Sequence, residues 1–146
     1  MQIDSMIRRA LLVLACLPVV AAAQGTAPQT PPKPEIFLRE PAEGATVSNP
    51  VTLVFGLRNY GVAPAGIKVD NTGHFHVVID GDVPAVGAII PPNDDHNRHF
   101  GTGVIEAKLP ITLSPGKHTI RVVLGDFEHK VISSDLVSKP VTITVK

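Results

Sequence analysis

From residue 36 to the end of the chain, apolar and polar residues alternate over short runs, a pattern typical of half-buried β-strands. Turn-forming Gly, Pro, Asn and Asp separate these runs, and no stretch of ten or more residues shows helical spacing. Such a pattern predicts an all-β fold, an antiparallel β-sandwich of the immunoglobulin-like or fibronectin-like kind. The seven predicted strands span residues 36–38, 51–58, 74–80, 88–90, 104–109, 118–124 and 140–146.

The first 23 residues follow a different pattern. Arg8 and Arg9 precede an apolar run that closes with small residues before Gln24, which is the order of a secretory signal. The run is shorter than the about 20 apolar residues that a membrane span requires, so we expect cleavage after Ala23 and a periplasmic or secreted protein. In a competing interpretation Cys16 is the lipidated residue of a lipoprotein, but an apolar stretch would then remain after it.

A proline-rich linker is predicted over residues 24–35, because this segment is poor in large apolar residues. The remaining residues, 36–146, suffice for one domain with its own core. The whole chain carries 13 basic and 13 acidic residues, and this balance argues against a nucleic-acid partner. We expect no membrane span after cleavage of the signal.

Sulfur is confined to the predicted signal, which contains the single cysteine and both methionines. The mature chain therefore has no disulfide, no thiol nucleophile and no soft ligand for Cu(I). We also find no nucleophile elbow and no Gly-rich phosphate loop, and we predict no catalytic residue.

Histidines are scattered along the chain, but the predicted topology gathers them. If successive strands run antiparallel, the connections alternate between the two ends of the sandwich. One end then receives five of the six histidines, and His118 lies at the opposite end. The polar residues predicted at the shared end are His74, His76, Asp94, Asp95, His96, His99, Asp126, Glu128 and His129.

A metal site is the first interpretation of this convergence. His74 and His76 alternate with Phe75 on one strand, so both imidazoles lie on one face, about 6.5 Å apart along the strand. His99 or His129 would add another imidazole, with Asp126 as a further ligand or as an acceptor that orients a ring. Nitrogen and oxygen ligands favour Cu(II) or Zn(II). A periplasmic protein that accepts the ion is then an expected partner.

Each of these residues also has a purely structural interpretation. A pair of histidines near the end of a strand can be ordinary polar decoration of a sheet edge. His96 lies in a loop typical of a solvated turn, and Asp126 suits a turn in which its carboxylate accepts backbone hydrogen bonds. His118 follows a turn and is given no functional role.

Two other functions compete with metal binding. Tyr60, Phe75, Phe100 and Phe127 would form an aromatic patch near the same end, which suits an interaction module for a peptide, glycan or partner protein. The histidine-aromatic-histidine sequence of residues 74–76 also resembles a strand of superoxide dismutases, a remote alternative because the chain lacks their disulfide cysteines.

Several blocks of the sequence resemble an uncharacterised secreted bacterial family, the domain of unknown function 4399. They are "VAPAG", "TGHFHVVIDGDVP", "HFGTG", "LSPGKHTIRVVLGDFEH" and "VTITVK". The resemblance implies an exported β-sandwich with histidines at positions 74, 76, 99 and 129, and no settled activity. The chain departs from the family pattern at Phe75, where a third consecutive histidine is frequent, and at Thr102, where lysine is usual.

Overall fold

The computed structural model describes residues 30–146, so the predicted signal and the first part of the linker lie outside the described residues. Nine strands and one short 3-10 segment, Ser134–Leu136, follow in this part of the chain. The strands are β1 (Glu35–Glu40), β2 (Thr46–Val47), β3 (Thr52–Arg58), β4 (Gly61–Val62), β5 (Thr72–Ile79), β6 (Asn97–Phe100), β7 (Glu106–Lys108), β8 (Gly116–Gly125) and β9 (Val141–Val145).

Two sheets make up the sandwich. The smaller sheet has the order β1-β3-β7 and is antiparallel throughout. The larger sheet has the order β2-β9-β8-β5-β4, and β6 also pairs with β5. Its long strands are antiparallel, whereas the two-residue strands β2 and β4 pair in parallel with β9 and β5. The predicted all-β, mainly antiparallel sandwich is confirmed, and its immunoglobulin-like or fibronectin-like character stays a prediction.

Alternation along β5 places its apolar side chains between the two sheets. Phe75 and Val77 are fully buried there, opposite residues of the smaller sheet. The Phe75 ring stacks on Phe55 of β3 with centroids 4.6 Å apart, and Phe100 of β6 lies 5.3 Å from Phe55. The three aromatic rings therefore form part of the core, so Phe75 and Phe100 do not belong to a surface aromatic patch.

The opposite face of the larger sheet is also covered. Val78 of β5 and Val123 of β8 form a second apolar cluster with Ile90 and Val131, which come from the two connections that cross this face. Backbone hydrogen bonds hold the two connections to each other, including Ile90 N to His129 O at 2.8 Å. Side chains of β5 that point away from the core are therefore buried rather than solvated.

Two predictions for the middle of the chain are wrong. Residues 88–90 are not a strand of either sheet; Ile89 makes only an isolated bridge with Lys130, because this segment pairs with the neighbouring connection. The polar stretch 91–101, predicted as a loop, contains β6, which pairs antiparallel with β5. The sequence pattern does not reveal this strand, because Phe100 is its only residue in the main core and the others are polar.

The other predicted strands are confirmed, with shifted ends. β1 already begins at Glu35, inside the predicted linker, and β7 covers only part of the predicted strand 104–109. Within residues 30–146, no helix is long and apolar enough to cross a membrane.

His118 has the structural role that its position suggested. Its Nδ1 lies 2.6 Å from Asp80 Oδ2, and its Nε2 lies 2.8 Å from the backbone oxygen of Ser114. The hydrogen bond to Asp80, followed by that to Ser114, raises the pKa of His118 above its usual 6.5. Both ring nitrogens of His118 therefore have hydrogen-bond partners.

We expect Asp80→Asn to remove a pH-dependent part of the stability. Because the folded-state pKa of His118 is raised, the stabilisation is complete below about pH 6.5 and is lost as pH rises through the folded-state pKa. The Asp80 side chain is 41% exposed, so the free energy of unfolding should differ by at most about 1 kcal/mol. Urea unfolding of both proteins from pH 6 to 9 measures this difference; a difference that grows with pH would contradict the prediction.

Candidate metal centre

His74 and His76 lie on the covered outer face of β5, as the alternation with Phe75 predicts. Both side chains are completely buried, at 0% exposure, because β5 is an inner strand and the connections that carry Ile90 and Val131 cover this face. Their Nε2 atoms face each other at 3.0 Å, so in the metal-free protein one nitrogen donates a proton to the other. The pair is therefore not solvated decoration of a sheet edge.

His99 joins the pair through strand pairing rather than through a loop. In the register of β5 and β6, His99 lies directly opposite His76, and directly opposed residues of antiparallel strands project from the same face. The His99 ring centroid lies 4.9 Å from that of His74 and 4.9 Å from that of His76. This residue is thus fixed by backbone hydrogen bonds, although sequence reasoning assigned it to a loop.

His129 comes from the turn that follows β8. Its φ of 66° is in the left-handed region, and the turn is closed by hydrogen bonds between the backbones of Asp126 and residues 129 and 130. The ring centroid of His129 lies 4.9 Å from His74 and 4.8 Å from His99, with His76 at 5.6 Å. A short, well-bonded turn therefore places the fourth imidazole over the other three.

Together the four imidazoles form a compact group, which we call the four-histidine cluster: His74, His76, His99 and His129. One ring nitrogen from each residue can be chosen so that all four lie within 4.8 Å of one another. A metal ion needs each such nitrogen at about 2.0–2.1 Å, a requirement that small ring rotations can meet. The cluster thus has the residue types and the spacing of a nitrogen-ligated metal centre.

Several buried nitrogens of the cluster lack hydrogen bonds. Among residues 30–146, no partner reaches Nδ1 of His74, Nδ1 of His76 or Nε2 of His99. An unsatisfied buried polar atom costs about 1–3 kcal/mol, so native proteins contain few of them. Coordination of an ion through one of these nitrogens would offset part of this cost, since a nitrogen that coordinates metal no longer needs a hydrogen bond.

Burial keeps these imidazoles neutral. Desolvation, reinforced by the neighbouring histidines, lowers the pKa of His76 to about 2 and that of His74 to about 4. The pKa of His99 is lowered for the same two reasons, desolvation first and His129 second. Neutral imidazoles are the form that binds metal, so at pH 7 these rings can offer a lone pair to an ion without first losing a proton.

Asp126 and His96 lie outside the four-histidine cluster. Asp126 Oδ1 accepts hydrogen bonds from the backbone nitrogens of Glu128 and Lys130, at 2.8 and 2.9 Å, so it shapes the turn that presents His129. His96 is exposed, and its Nδ1 lies 2.9 Å from the backbone oxygen of Ile79. Of the five histidines predicted to gather, four do. Asp126 is not a member of the cluster, and its predicted role as a ligand or ring acceptor stays a prediction.

Asp94 and Asp95 also remain outside the cluster. Asp94 Oδ1 accepts hydrogen bonds from the backbone nitrogens of His96 and Asn97, at 2.8 and 2.7 Å. The hydrogen bond from the Asn97 side chain, followed by these two backbone bonds, lowers the pKa of Asp94. The acidic pair thus belongs to the turn that precedes β6.

Two glycines make room for the imidazoles, and sequence reasoning missed both. A Cβ atom at Gly101 would overlap the His99 ring, and one at Gly125 would lie 2.9 Å from Nε2 of His76. In the sequence, Gly101 follows His99 by two residues and Gly125 directly follows a predicted strand. A glycine at either position is equally typical of a turn. Only the paired strands reveal that these positions face imidazole rings.

The fold and the cluster define the chain as a β-sandwich protein with a compact group of four histidines, two of them fully buried. A family model for a domain of unknown function, DUF4399, matches residues 53–146, which include all four. This match covers more than half of the chain, and the chain belongs to that family. None of the curated proteins and none of the solved structures compared with the chain matches it.

We expect Gly101→Ala to weaken metal binding, because the added methyl group must displace the His99 ring. Gly81→Ala is a matched control: its Cβ would press on the side chain of His96, at 2.9 Å, outside the cluster. Calorimetric titration of both variants with zinc should show roughly a tenfold or larger loss of affinity for Gly101→Ala alone. Equal affinities in the two variants would contradict this assignment of Gly101.

Proposed function

We propose that this protein binds one divalent transition-metal ion through the four imidazoles of the four-histidine cluster. The observation that carries the proposal is the convergence of four histidines from three separate segments, within 4.8 Å and largely buried. Buried histidines are usually satisfied by hydrogen bonds, whereas three nitrogens here have no partner among the described residues. A bound ion accounts for the convergence, and it satisfies one ring nitrogen of each of the four histidines.

The donor set restricts the choice of ion. Four neutral imidazole nitrogens suit borderline ions such as Zn(II) and Cu(II). Cu(I) prefers thiolate and thioether ligands, and the chain has no cysteine or methionine after residue 16. Calcium and magnesium prefer oxygen ligands, which the cluster lacks.

The predicted export signal determines the setting of this proposal. We propose that the protein acts in the periplasm or outside the cell, where it exchanges its ion with the surrounding medium or with a metal-accepting partner protein. An interaction module without metal is supported less well. Two of the four aromatic residues on which that alternative depends, Phe75 and Phe100, are buried in the core.

Replacement of His74 and His76 together with Ala should abolish stoichiometric metal uptake. Loss of two of four ligands is expected to weaken binding by more than about 100-fold. Isothermal calorimetry with zinc or copper on a chelator-treated, tag-free sample measures the stoichiometry and affinity. His96→Ala is the matched control, since it removes an imidazole outside the cluster.

One measurement and one further variant distinguish the loss of ligands from a loss of folding. Circular dichroism shows whether the double variant retains its β structure. His129→Gly removes a ligand from a turn whose positive φ glycine adopts readily, so this variant should fold and still bind more weakly. The proposal would be refuted if the wild-type protein took up no metal. It would also be refuted if uptake were unchanged in both the double variant and His129→Gly.

Metal should also stabilise the folded protein. An ion that binds only the folded state, present at 100 times its dissociation constant, adds about 2.7 kcal/mol of stability. For a domain of this size that corresponds to a rise in Tm of roughly 10 °C. Differential scanning calorimetry with and without zinc measures the shift, and a Tm unmoved by zinc and by copper would favour the interaction module instead.

A further inference from the structure

The distances between the four imidazole rings distinguish two ways of coordinating an ion. An imidazole bound at 2.0–2.1 Å has its ring centroid about 3.2 Å from the ion, whichever nitrogen coordinates. In a tetrahedral site all six centroid separations are then about 5.2 Å. In a square-planar site four are about 4.5 Å and two, between opposite ligands, are about 6.4 Å.

The six separations in the four-histidine cluster follow the tetrahedral pattern. His74, His76 and His99 form a triangle with sides of 4.8, 4.9 and 4.9 Å. His129 lies 4.9, 5.6 and 4.8 Å from those three rings in the same order. The largest value, 5.6 Å, falls well short of the separation of opposite ligands in a plane.

The fold opposes rearrangement into a plane. Three of the rings project from one face of the paired strands β5 and β6, where the register fixes their spacing. The fourth ring comes from a different connection, which crosses this face. A square-planar site would require two of the four rings to move apart by more than an ångström. Gly101 fits closely against the His99 ring and Gly125 against the His76 ring, so these rings have little room to move.

We propose, on the basis of the function proposed above, that the four-histidine cluster is a closed tetrahedral centre, the coordination geometry that structural zinc adopts. All four coordination positions are filled by the protein, so the ion has no open position for water or substrate. Closed sites of this kind hold a structural or stored ion, whereas catalytic zinc keeps one position open. The centre therefore retains its ion rather than activating a substrate on it.

Affinity alone cannot test this inference, because Cu(II) binds most nitrogen sites more tightly than Zn(II) does whatever their geometry. Cobalt(II) is a better probe, since its visible absorption depends on coordination number. Tetrahedral Co(II) absorbs intensely because the site lacks a centre of symmetry, whereas six-coordinate Co(II) absorbs weakly. The chelator-treated mature protein is titrated with Co(II), then with azide, and finally with zinc.

We expect an intense visible spectrum that saturates at one equivalent, is unchanged by azide and is abolished by zinc. His129→Gly opens one position, so its Co(II) spectrum should respond to azide, whereas His96→Ala should behave as the wild type. One equivalent bound with weak absorption, or a wild-type spectrum altered by azide, would overturn the closed tetrahedral centre while leaving metal binding intact. Failure to bind any Co(II), zinc or copper would refute the proposed function itself.

Discussion

The arrangement of this protein depends on the convergence of four imidazoles around one point, two of them fully buried and two partly buried. A neutral imidazole carries one donor and one acceptor, and each unsatisfied buried atom costs free energy. The fold nevertheless brings four such rings together on the covered face of a central strand, with three nitrogens unpartnered among residues 30–146. We propose that an ion at the centre coordinates one nitrogen of each ring and so links three segments that already meet through backbone hydrogen bonds and the apolar contacts around Val78 and Val131.

The double-sided character of β5 makes this burial possible. Phe75 and Val77 point into the main core, where Phe75 stacks on Phe55. His74 and His76 point to the opposite face, where the two long connections exclude water. A single strand thus contributes both to the apolar core that stabilises the sandwich and to the polar centre that we assign to metal.

Sequence reasoning could predict the class of fold and most of the centre. Alternation places His74 and His76 on one face, and antiparallel connections bring His129 towards them. Strand β6 escaped prediction because Asn97, Arg98 and His99 look like a solvated loop, and only pairing with β5 shows that they form an edge strand. Pairing energy between backbones leaves no mark in a hydrophobicity pattern.

The same limit applies to two other positions. The apolar run at residues 88–90 has the composition of a strand, but it belongs to a connection in which Ile90 packs on the outer face of the larger sheet and Ile89 is exposed. Asp126 has the chemistry of a ligand, yet its Oδ1 is engaged by the backbone of its own turn. Composition therefore identifies which residues can bind metal, whereas local hydrogen bonding decides which of them are available.

Nuclear magnetic resonance of the histidine side chains tests the account most directly. All six histidines lie in the described part of the chain, so each ring provides its own signals. On addition of one equivalent of zinc to the metal-free protein, the ring nitrogens of His74, His76, His99 and His129 should shift together, and those of His96 and His118 should not. Shifts confined to His96 or His118, or no shift at any ring, would contradict the assignment of the metal centre.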